Sequence, residues 1–69
     1  MKDLRETMLA AFRAHAQGHI EKHKMNIEVY LTNPAGIGEH PDIMEAIETE
    51  MKELAEYDDM LEMVEKYFK

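Results

Sequence analysis

The chain contains no cysteine, which excludes a disulfide framework and a thiolate metal site together. It also lacks serine, so the common nucleophile triads are unavailable and only the rarer threonine schemes remain. Glycine and proline number three and two, too few for a chain of many turns. Four of those five breakers crowd into "TNPAGIGEHPD", residues 32–42. The longest apolar run near the start, Met8 to Phe12, is too short for a signal peptide or a membrane span. Positive charge is scarce in the second half: residues 39–69 carry three lysines against eleven acids. That balance argues against direct binding to a phosphate backbone and favours a basic partner, if any. A soluble, cytoplasmic protein with no membrane association is expected, in the host cytoplasm or a virion if the origin is viral.

What is present favours helix. Glutamate, lysine, methionine, leucine and alanine dominate, and all are good helix formers. The breakers divide the 69 residues into a helix over about 3–32, a loop over 33–41 and a helix over about 42–68. Asn33-Pro34 ends the first helix, because the residue before proline avoids the α region. Pro41 suits the first turn of the second, and Asp42 with Glu45 forms a capping box. Gly18 interrupts the first pattern at a cost of about 1 kcal/mol relative to alanine. One continuous helix is still the expected arrangement.

Both segments carry apolar stripes. In the second, Ile47, Leu54, Leu61 and Phe68 repeat every seventh residue, and Ile43, Tyr57 and Val64 fill in between. In the first, Leu9, Phe12, Ala16, Ile20, Ile27 and Leu31 recur with helical period. Laid antiparallel, the stripes match when residue numbers sum to 73 or 74: Leu31 meets Ile43, Ile27 meets Ile47, Ile20 meets Leu54, Ala16 meets Tyr57, and Phe12 meets Leu61. The expected fold is all-α, an antiparallel two-helix hairpin. A domain this small buries only about 60% of its unfolded surface, and a lone hairpin leaves its methionines and Tyr67-Phe68 wet. Dimerisation into a four-helix bundle is therefore also expected.

The candidate chemistry lies in "HAQGHIEKH", residues 15–23, where three histidines recur every fourth position. His15 and His23 are about 12 Å apart along a helix, so all three cannot bind one ion. A site would need carboxylates from the other helix. The alignment puts Glu50 level with His23, Glu53 near His19 and Asp58 near His15. Three readings stand: polar contacts that fix register, a pH-responsive interface, or a metal site of His19, His23 and Glu50. The paired Glu-x-x-His motifs of di-iron bundles are missing, and no cofactor is expected. A lone Gly36-Ile37-Gly38 without a preceding strand reads as an interhelical turn. With no nucleophile set and no pocket-forming sheet, catalysis is not expected.

"VYLTNPAGIGEHPDI", residues 29–43, followed by the acidic helix, resembles small uncharacterised acidic proteins of marine tailed phages and marine metagenomes. That family has no assigned activity, so the resemblance transfers no site residues. It implies a viral or environmental context. The functional expectation is a non-enzymatic helical interaction or assembly protein. The alternatives are an acidic inhibitor or nucleic-acid mimic directed at a host protein, or a metal-binding bundle.

Overall fold

The structure is a computed structural model that describes residues 3–32 and 42–69. The connecting loop expected at 33–41 lies outside the described residues. Helix α1 runs from Leu4 to Thr32 and helix α2 from Ile43 to Met63, and the chain continues in a π-helical turn from Val64 to Phe68. No strand occurs among the described residues.

Each helix begins on an aspartate. Asp42 takes an extended backbone, and its carboxylate accepts the Glu45 amide at 2.9 Å. Asp3 does the same for Glu6 at 2.7 Å, and its carbonyl accepts the Thr7 hydroxyl at 3.1 Å. Each carboxylate satisfies an amide that has no partner inside the helix and lies at the positive end of its dipole. α1 passes through Gly18 without a break.

The helices pack antiparallel. Contacts run from Arg5–Phe68 and Arg13–Glu65 at one end to His23–Glu50 and Asn26–Glu50 further along, with residue numbers summing to between 73 and 78. The protein measures 50 × 20 × 15 Å, about two helix diameters across its wider section.

The core is thin. Among the described residues Ala16, Ile20, Ile27, Ala46 and Val64 are its buried apolar residues, and His23 is buried among them at 2% exposure. Ile47, Leu54, Leu61, Phe12 and Tyr57 line the seam half-buried, because each has a helix on one side only. Two stripe residues stand clear of it. Leu31 is 59% exposed, and Tyr30, three residues after Ile27, takes the more buried position instead. Phe68 is 52% exposed. The π-helical turn carries it out to the edge, beside Leu4, Met8 and Leu9.

Two arginines of α1 secure that turn. The Arg5 guanidinium donates to the Phe68 carbonyl at 2.8 Å, and Arg13 Nε donates to Glu65 Oε1 at 2.9 Å. Arg5 thus supplies a donor and a positive charge where a helix end leaves carbonyls without partners.

Candidate functional site

A cluster of polar groups lies around the middle of the seam. His15, His19 and His23 lie along α1 at one-turn intervals, and Tyr57 of α2 inserts among them. The Tyr57 ring stacks on His19 with centroids 4.3 Å apart and planes 6° from parallel. It meets His15 edge-on at 5.9 Å. The sequence alignment opposes Tyr57 to Ala16, but helical spacing fixes only the level. The long flat ring turns sideways onto the imidazoles, leaving Ala16 fully buried.

His23 is the most constrained member. Its Nδ1 contacts Glu50 Oε2, while the other oxygen of that carboxylate accepts from Asn26 Nδ2 at 3.1 Å. On the far side, His23 Nε2 lies 3.0 Å from Glu53 Oε2. That oxygen is off the line of a directed hydrogen bond, so the contact is one of charge and proximity. A neutral imidazole donates to one of two flanking carboxylates, whereas an imidazolium donates to both. Glu50 is largely covered and Glu53 half open to solvent.

His19 differs. Its Nδ1 is buried against the stack and meets no hydrogen-bond partner among the described residues. Partial burial lowers its pKa below the ordinary 6.5, and the neighbouring charges of His15, Lys22 and His23 lower it further, with Glu53 opposing them. The protein therefore favours the neutral form of His19.

The ligand set His19, His23 and Glu50 is not assembled here. Among the described residues no three His, Asp or Glu groups are placed to hold a metal ion. The reason is geometric. The His19 and His23 rings are 6.0 Å apart and 25° from parallel, so their in-plane lone pairs do not converge on a point, and a metal requires nitrogens at about 2 Å. His23 Nδ1 is already taken by Glu50. Asp58, expected near His15, is exposed, and the neighbour His15 finds on α2 is Tyr57.

Within the cluster Glu50 is satisfied by His23 and Asn26, whereas His19 Nδ1 and His23 Nε2 have no hydrogen-bond partner among the described residues. Glu50 is held by two side chains of α1, and sliding either helix by one turn would break both bonds while burying an unmatched charge. This geometry suits a contact that holds the register of the two helices. Sequence spacing gave no sign of Asn26 as a partner of Glu50, since asparagine there lies outside the apolar stripe.

No family model, curated protein or solved structure matches the chain. No helix among the described residues is long and apolar enough to cross a membrane.

Proposed function

We propose that the protein is a small helical assembly component that works by associating with copies of itself and presenting surface, without catalysis. One observation carries this reading. Among the described residues the hairpin buries five apolar residues, while ten large apolar side chains stay exposed, among them Leu4, Met8, Met25, Met44, Tyr67 and Phe68. A core this thin in a chain without disulfides normally needs a partner to be firmly stable. Exposed apolar groups in such number point to an interaction surface.

The acidic back of α2 favours a second reading, an inhibitor or nucleic-acid mimic aimed at a basic partner. Glu56, Asp58, Asp59 and Glu62 line one shallow surface depression. Either reading is compatible with the viral or environmental setting that the resemblance of residues 29–43 implies.

Size-exclusion chromatography with light scattering tests the first reading. A mass of at least twice 8.1 kDa at micromolar concentration is the expected result. A monomer at every concentration, with a basic nucleic-acid-binding protein as its sole captured partner, would replace it with the second.

A further inference from the structure

α1 carries a second stripe that the hairpin does not use. From Leu4 to Val29, positions at alternating intervals of four and three residues fall on one face, the spacing of a coiled-coil seam. The face lies about 125° around the helix from the hairpin seam, taking 100° per residue from 3.6 residues per turn. Its apolar ends are open: Leu4, Met8, Met25 and Val29 are 73%, 62%, 63% and 43% exposed.

We infer that this face packs against the same face of a second copy, antiparallel, with the two-fold axis level with residues 16 and 17. This rests on the reading of the protein as self-associating and specifies where and how. Residue numbers of facing pairs then sum to 33. Leu4 meets Val29 of the second copy, Met8 meets Met25, Ala11 meets Lys22, and His15 meets Gly18. Apolar pairs with apolar at both ends. Lys22 lays its aliphatic stem over a small alanine and carries its charge outward.

Three observations select a second copy as the occupant. The first is charge. α1 holds four basic residues against three acids, whereas residues 43–69 hold three lysines against nine acids. Pairing through α1 keeps two strongly acidic α2 helices apart on the outside, and pairing through α2 would bring them together. The second is area. The chain exposes 5398 Å², and a compact monomer of 8.1 kDa would expose about 4,500 Å². The excess of about 900 Å² is spread over the whole elongated hairpin, and it is of the order that each partner contributes to a standard interface. The third is Gly18. A Cβ built there meets nothing within 4 Å, so the hairpin has no steric need for glycine at a mid-helix position where it is costly. Opposite an imidazole of the second copy, the missing side chain supplies the room. Gly18 indeed lies in a notch between His15, His19 and Lys22.

The absence of cysteine makes the test direct. Met8→Cys and Met25→Cys proteins are prepared separately, mixed, and treated with a short bis-maleimide. Mixed samples should crosslink efficiently between one chain of each kind. Neither protein alone should do so, because like positions are about 25 Å apart in this register at 1.5 Å per residue. Met25→Glu should weaken association by more than about tenfold, a shift of at least 1.4 kcal/mol, with helicity by circular dichroism unchanged. If light scattering shows a dimer but the mixed sample does not crosslink preferentially, or Met25→Glu associates normally, the α1 interface is wrong and self-association survives. A strict monomer removes both.

Discussion

α1 and α2 are both long, regular helices, yet they distribute their apolar residues differently. α2 gathers most of them on one side, with carboxylates over much of the rest beside the exposed Met44, Met51 and Met60; α1 spreads them around the cylinder. A helix with one apolar stripe is satisfied by one neighbour, and a helix with apolar residues on several sides is suited to burial among more than one. The contrast assigns the helices different places. In the proposed dimer α2 is the outer helix with an acidic back, and α1 is the inner helix, with one face committed to the hairpin and one to the second copy. The thin intrachain core follows from that division, since much of the apolar surface of α1 points away from α2.

The largest effect should come from the committed face. His23 is buried beside Glu50, and truncating it leaves a carboxylate without its partner and a cavity in the seam. His23→Ala should cost about 3 kcal/mol or more in chemical denaturation. Replacing both members, as His23→Leu with Glu50→Leu, should recover most of that loss. A double variant as unstable as the single would mean that the pair contributes more than register.

Next in size is Gly18, where the two faces predict opposite signs. Gly18→Ala should stabilise α1 by up to about 1 kcal/mol through helix propensity, since open space surrounds it in the hairpin. The same methyl should weaken association, because it fills the notch assigned to the second copy. Thermal melts at low concentration and light scattering at high concentration read the two effects separately. Gains in both would place the open face elsewhere.

Much of the committed face was legible in the sequence, and the reasons why are instructive. The seven-residue repeat of Ile47, Leu54 and Leu61 set the register closely enough to put Glu50 level with His23, where the two now touch. Asp42 and Glu45 announced the start of α2. The same Asp-x-x-Glu signature at Asp3 and Glu6 begins α1. What spacing could not supply was lateral direction. It gave Tyr57 its level but not its stack on His19, and it favoured Leu31 over the more buried Tyr30. The π-helical turn was illegible because it is held by Arg5, 63 residues away in sequence. That His19, His23 and Glu50 are not brought together as a ligand group among the described residues has a related cause. Histidines on one stripe can stack nearly parallel, and stacked rings do not aim their lone pairs at a common point.

A smaller effect concerns the edge between the two faces, where His19 sits. Its pKa is lowered, first by partial burial and then by His15, Lys22 and His23, with Glu53 opposing from α2 and Tyr57 stacked on the ring. The unfolded chain therefore binds a proton at His19 more readily than the folded one. The stability that His19 contributes is complete above the ordinary histidine value of 6.5 and is lost as pH falls through it. Stability profiles of the parent and His19→Gln should converge with falling pH between 7 and 5, and parallel profiles would remove His19 as the source.

The smallest effect belongs to the ends of the seam, where α1 reaches α2 through exposed charge. Arg13 and Glu65 keep 39% and 50% of their side-chain surface in solvent. Such a pair contributes about 0.2–1 kcal/mol and less as salt is added. Arg13→Ala should therefore be nearly silent in global stability. Arg5 should be equally quiet globally but not locally, because it holds the final carbonyl of the π-helical turn. Arg5→Ala should speed amide exchange in residues 64–68 while leaving α2 protected. If exchange instead accelerates along all of α2, the arginine contact nucleates the hairpin from that end, and the His23–Glu50 pair is not what sets the register.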